Sequence, residues 1–139
     1  MVDLHALASR LSALEGYRAK LEAFRRFSRD EFLSDEDLYQ LAERYLHLAC
    51  ECMLDAAQHV IAELGFRQPN DYRDAMEVLC EEEILARDLA ERLKGWMGFR
   101  NVLVHFYLGI DHHRAFDAIQ SELGDLEGFA AQLVQLLDE

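Results

Sequence analysis

Apolar residues recur along this chain at the three- and four-residue spacing of an α-helix, not the alternation of a strand. Leu4, Leu7, Leu11, Leu14, Tyr17, Leu21 and Phe24 form the first such stripe and predict a long helix ending near Arg29. Ser34 is the expected cap of a second helix, with Asp35, Glu36 and Asp37 placed where negative charge favours the helix dipole. Leu38, Leu41, Ala42, Tyr45, Ala49, Cys52, Met53, Ala56 and Val60 carry its apolar face to Gly65, a natural stop. After Pro69-Asn70-Asp71 a shorter third helix is predicted through Tyr72, Ala75, Met76 and Leu79, running out in Glu81-Glu82-Glu83. A fourth is expected over about 86–108 and a fifth over about 112–137, capped by Asp111 and faced by Phe116, Ile119, Leu123, Leu126, Phe129, Leu133 and Leu136. No repeat interrupts the pattern, and seven glycines and one proline are too few for a loop-rich chain. The pattern therefore predicts an all-α fold: a single domain, residues 1–139, built as an up-and-down bundle of about five helices.

The fourth helix breaks the amphipathic rule. From Trp96 the chain reads W-M-G-F-R-N-V-L-V-H-F-Y-L, apolar on nearly every side of the helical wheel. A helix apolar all round is buried all round, and a bundle this small covers only one of its sides. A second copy of the chain is the simplest cover for the other, which predicts a homodimer across this helix.

Charge narrows the function classes. Lys plus Arg number 14 against 27 Asp plus Glu, a formal net charge of -13, which argues against a general nucleic-acid coat protein and against DNA as a partner. No stretch reaches the length of a membrane span, and Met1-Val2-Asp3-Leu4-His5 lacks the basic start of a signal peptide, so a cytoplasmic protein with no membrane partner is expected. Cys50, Cys52 and Cys80 form no even disulfide set, and the first two project about 200° apart on a helix, so small buried thiols are expected. One basic feature stands against the acidic background: Arg18, Arg25 and Arg29 fall on one face with Arg26 beside them, either a solvated face or a flank for RNA.

Candidate chemistry concentrates in the apolar segment, where Arg100, Asn101, His105 and Tyr107 must be paired or functional, because a buried unpaired polar group costs about 1–3 kcal/mol. Asn101 and His105 are i, i+4 neighbours, but Arg100 and Tyr107 diverge from them by about 100–140° on a straight helix. Convergence needs an irregular helix end, which Gly109 permits, or a two-fold axis. An imidazole exchanges protons near neutral pH, a guanidinium neutralises phosphate charge, and Asn101 can orient either partner. With RNA the 2′-hydroxyl serves as nucleophile, so no metal or other cofactor is required. From the residues alone, His105 reads as either a satisfied core histidine or this proton-transfer group. Glu51, Asp55 and His59, spaced by four on the second helix, read as a supporting polar network in preference to a metal stripe. His112 and His113 read as surface residues of a helix cap.

Arg100 to Tyr107, R-N-V-L-V-H-F-Y, resembles the R-x(4 to 6)-H-x-Y motif of the HEPN superfamily. The order of Glu51, Asp55, His59, the G-F-x-x-P segment at Gly65 to Pro69, Tyr72, Leu79 and G-F-R-N at Gly98 to Asn101 is similar to its HepT-like branch, the toxin half of HepT/MntA toxin-antitoxin systems. The resemblance implies a dimer with two motifs facing each other and a metal-independent endoribonuclease with Arg100 and His105 catalytic and Asn101 supporting. It also implies an MntA-like minimal nucleotidyltransferase antitoxin as partner, which uses ATP to place AMP on Tyr107 and so blocks the cleft. The alternative within the same resemblance is a non-catalytic module that binds the nucleotidyltransferase.

Overall fold

In the computed structural model, which describes residues 3–138, Asp3 starts the first helix by accepting the Ala6 N–H at 3.0 Å, and α1 runs Leu4–Ala23. Met1, Val2 and Glu139, included in the single-domain reading, and the side chains of Leu4 and Asp138 lie outside the described part. The first predicted helix does not reach Arg29. A short 3-10 turn over Phe24–Arg26 ends it, and a separate helix, α2 (Arg29–Ser34), follows. The cause is a capping box that the apolar stripe does not reveal: Ser28 Oγ accepts the Glu31 N–H at 3.1 Å while the Glu31 carboxylate accepts the Ser28 N–H at 2.9 Å.

Ser34 closes α2 instead of capping the next helix. That role falls to Asp35, whose carboxylate accepts from Leu38 at 3.2 Å and opens α3 (Glu36–Leu64), ended by Gly65 at φ 68°. Asp71 caps α4 (Tyr72–Glu81), and α5 covers Arg87–His105. The predicted fifth helix is two: α6 (His112–Ser121) and α7 (Gly124–Val134), parted where the Glu122 N–H closes on the Ala118 carbonyl and the chain bends before Gly124. Seven α-helices and no strand are present among the described residues.

The spine is α3. It packs against α1 along its length and against α4, α5, α6 and α7 elsewhere, and Leu46, Ala49, Met53, Ala56, Ala57 and Val60 are fully buried along it. Its small residues let the neighbours approach closely, while Trp96, Phe32 and Phe129 fill the space between layers. Cys50 is buried and its thiol is pushed up to about 12 by burial, which keeps it inert; Cys52 and Cys80 are half-buried, more open than expected, and all three are free. No helix is long and apolar enough to cross a membrane among the described residues.

Outside this core, α4 and the start of α5 are tied by ion pairs. Asp74 receives Arg67 at 2.7 and 2.9 Å and the Asn70 N–H at 2.8 Å; Glu77 receives Arg87 at 2.7 Å and Lys94 at 2.6 Å. These hydrogen bonds hold both carboxyls down at about 2. A carboxyl whose pKa is depressed by folding contributes stability above its unfolded value and loses it as pH falls through the folded one. Acid titration should therefore weaken the fold between about pH 4 and 2, and Arg67→Ala should shift the onset to higher pH, as followed by circular dichroism.

Candidate active site

The motif sits where α5 stops. The Phe106 N–H bonds the Val102 carbonyl at 2.9 Å as the last helical link, but Phe106 leaves helical geometry (φ -128°, ψ 43°), and Tyr107–Gly109 form a 3-10 turn closed by Gly109 on Phe106 at 2.8 Å. The predicted continuation to Leu108 fails because nothing in the chain covers it: Phe106, Tyr107 and Leu108 are 65%, 68% and 90% exposed. The inner side of α5 is buried as expected, through Leu93, Trp96, Met97, Phe99 and Leu103. What the chain leaves uncovered is the far end.

Arg100 points the other way. Its side chain is 11% exposed, its Nε donates to Glu51 Oε1 at 2.5 Å, its Nη1 donates to Asn101 Oδ1 at 3.2 Å, and its guanidinium lies 4.8 Å from the Tyr72 ring centroid. Nη2 makes no hydrogen bond among the described residues. His105 is exposed, with no hydrogen bond to its ring among the described residues. Five residues of helix separate the two by about 140° and about 7.5 Å of rise. One chain thus presents its cation and its imidazole on different sides.

Glu51 extends the Arg100 contact into α3. His47 Nε2 lies 3.4 Å from Glu51, and Arg44 Nη1 donates to His47 Nδ1 at 3.0 Å. A guanidinium only donates, so Nδ1 accepts and the neutral ring carries its proton on Nε2, facing the carboxylate. Burial pushes the His47 pKa down, with Glu51 opposing it. Sequence reasoning missed Glu43, Arg44 and His47, yet a signal for the first and last was present: positions 43, 47, 51, 55 and 59 share the spacing of four. Each such step rotates about 40° on the helix, so Glu43, His47 and Glu51 face the site whereas the later members turn away. The expected network of Glu51, Asp55 and His59 is corrected accordingly. Asp55 pairs with Arg10 on α1 at 3.3 Å, and His59 Nε2 is buried with no partner among the described residues.

Beside the 3-10 turn lies a cavity of about 480 Å³, lined by Tyr39, Glu43, Arg44, His47, Leu103 and Tyr107 together with His112. His112 is half-buried, not the surface residue expected: its Nδ1 meets Glu43 Oε2 at 2.5 Å and its ring stacks on Tyr39 with centroids 3.9 Å apart. Burial pushes the Glu43 carboxyl up, and the His112 hydrogen bond draws it down.

The arginine stripe is spent within the fold. Arg18 pairs with Glu15, Glu22 and Glu127, Arg25 donates to the Ile119 carbonyl at 2.9 Å, and Arg29 holds Asp117 at 2.7 Å. Arg26 lies over the Phe27 ring. Arg18, Arg25 and Arg29 thus clasp α1, the 3-10 turn after it and α2 to α6 and α7, whereas Arg26 contacts only its neighbour Phe27, and none of the four lines the cavity described above. Among the described residues no group of three His, Cys, Asp or Glu side chains is placed to hold a metal.

Residues 14–133 match the family described as Ribonuclease HepT-like. A tRNA nuclease HepT from Aphanizomenon flos-aquae is 28% identical over 127 residues, 91% of this chain and 86% of that protein. The cytosolic protein YutE from Bacillus subtilis, at 25% identity, superimposes with a TM-score of 0.80 over 99% of this chain and 92% of its own. The tri-AMPylated Shewanella oneidensis HEPN toxin, solved in complex with its MNT antitoxin, shares the fold at a TM-score of 0.85, with 21% identity over 97% of this chain and 99% of that one.

Proposed function

This chain belongs to the Ribonuclease HepT-like family, and from that premise we propose that it is the endoribonuclease toxin of a cytoplasmic toxin-antitoxin pair, cutting RNA at a site composed from two copies of α5. The observation that carries the reading is the divided motif: Arg100 is locked against α3 by Glu51, while His105 and Tyr107 stand free at a helix end the chain leaves uncovered. A two-fold axis along that end gives Phe106 and Leu108 a partner surface and lets the two motifs face one cleft. A solution mass of two chains at micromolar concentration is the expected result.

In that cleft His105 takes the proton of a ribose 2′-hydroxyl, and the 2′-oxygen attacks the adjacent phosphorus. The bond to the leaving 5′-oxygen breaks, and that oxygen takes up a proton from an acid supplied by the other copy's motif. Arg100 offers Nη2 to the phosphate oxygens as their charge develops, and Glu51 and Tyr72 hold the guanidinium plane while it does so. A base, an acid and an anion clamp complete this step without a metal.

Tyr107 is the control point. A nucleotidyltransferase antitoxin brings ATP to the exposed phenol; its oxygen attacks the α-phosphorus, pyrophosphate leaves, and the phenolic proton passes to a base on the transferase. The adenylyl group then sets bulk and negative charge where RNA must dock. The test expresses the chain alone and follows RNA integrity in the presence of a chelator, then repeats the assay after incubation with partner and ATP. The wild type should cleave with chelator present and fall silent with the mass of added AMP. Tyr107→Phe should keep cleaving and gain no mass; an adduct on that variant would remove Tyr107 from the role. A chain that binds the partner but never cuts RNA would be the non-catalytic module instead.

A further inference from the structure

Neither Arg100 nor His105 lines the cavity beside the 3-10 turn, yet its lining is chemically selective. Its volume, about 480 Å³, lies in the range of small-molecule sites. At one wall the stacked Tyr39 and His112 rings present a flat aromatic surface. Below them Glu43, 6% exposed, gives Oε2 to His112 and leaves Oε1 with no hydrogen-bond partner among the described residues. At the mouth the exposed Arg44 uses only Nη1, on His47, and keeps its other donors. A flat ring surface, a buried acceptor and a cation at the rim match the three parts of a nucleotide: the base plane, the amino group on its edge and the phosphate.

We propose that this cavity binds one nucleoside 5′-monophosphate unit, with an amino-bearing base edge on Glu43 and the phosphate against Arg44. The inference rests on the ribonuclease reading only for where that unit comes from. Two sources fit: a nucleotide of the RNA strand next to the scissile bond, or the adenylyl group carried by Tyr107, which itself lines the cavity. In the first case the cavity sets sequence preference; in the second it seats the blocking group.

The probe is free AMP, compared with UMP, which has no amino group, by isothermal titration of the purified chain. AMP should bind saturably, and UMP and the Arg44→Ala variant should each show affinity about tenfold weaker. Arg44 is exposed, so its loss leaves the fold intact; Glu43→Gln, a buried change, should in addition shift preference toward UMP. Absence of saturable AMP binding, or equal affinity in Arg44→Ala, overturns the proposal. Two further measurements separate the sources. If RNA fills the cavity, Glu43→Gln moves the mapped cut sites toward uridine. If the adenylyl group fills it, protein modified at Tyr107 no longer takes up free AMP, while unmodified Tyr107→Phe still does. AMP binding by a chain that cleaves no RNA refutes the ribonuclease reading and leaves the cavity assigned; cleavage without AMP binding does the reverse.

Discussion

His105→Ala is expected to lower the RNA cleavage rate by two to four orders of magnitude, the usual contribution of a positioned proton-transfer group (about 10²–10⁴-fold), with almost no change in melting temperature. The structural cost is small because the ring is exposed and makes no hydrogen bond among the described residues. Arg100→Ala should abolish cleavage for a different reason and with a different signature. It strips Glu51 of its 2.5 Å partner and uncovers Tyr72, so activity and stability fall together. The paired measurement is initial rate on a defined RNA beside thermal unfolding. If His105→Ala kept cleavage within a few-fold of wild type, the proton-transfer role would pass to His47, whose Nε2–H faces Glu51 3.4 Å away.

Trp96→Ala is expected to cost about 3–5 kcal/mol, a large part of the about 5–15 kcal/mol that holds a domain together. Trp96 is 1% exposed, and its indole donates to Asp125 Oδ2 at 3.1 Å, joining α5 to α7. Its backbone carbonyl faces the Cys50 thiol on α3 at 3.8 Å. Truncation therefore opens a cavity where three helices meet, under the helix that carries the motif. Trp96→Phe separates the two contributions. It fills much of the space, leaves Asp125 to Arg92 at 2.7 Å, and should lose only about 1–2 kcal/mol. Urea unfolding of the three proteins measures both steps; a Phe variant as unstable as the Ala variant would place the stabilisation in the hydrogen bond.

Helix existence was legible in the apolar spacing because each long stripe has a continuous core to face: α3 spans its predicted range almost unchanged, and Asp71 and Asp111 start helices where expected. The breaks were not. Ser28 and Glu31 interrupt the first helix through a local hydrogen-bond exchange while Phe24 and Phe32 keep facing the core, so periodicity continues across the gap. The last helix hides its bend in the same way, with Leu123 and Leu126 buried on either side of Gly124. At the candidate site, the chain alone singles out Arg100, Asn101, His105 and Tyr107, and also Glu51, whose carboxylate meets Arg100. Partners supplied by another helix were the harder part. His47 and Arg44 lie about one and two turns before Glu51 on a face whose orientation depends on where α5 crosses α3, and Glu43 finds His112 across 69 residues.

The clasp formed by Arg18, Arg25 and Arg29 has a consequence for how the protein meets its substrate. With those cations committed to Glu15, Glu22, Glu127, Asp117 and a backbone carbonyl, an approaching polyanion meets the field of a chain with 13 excess negative charges. Nucleic-acid binders ordinarily lose affinity as salt rises, because released counterions drive the contact. On the proposed function the long-range part is expected to have the opposite sign: screening over the Debye length, about 10 Å at 0.1 M, should relieve repulsion and speed encounter with RNA. Discrimination among RNAs would then be left to contacts made within a few ångströms, after the strand has already arrived.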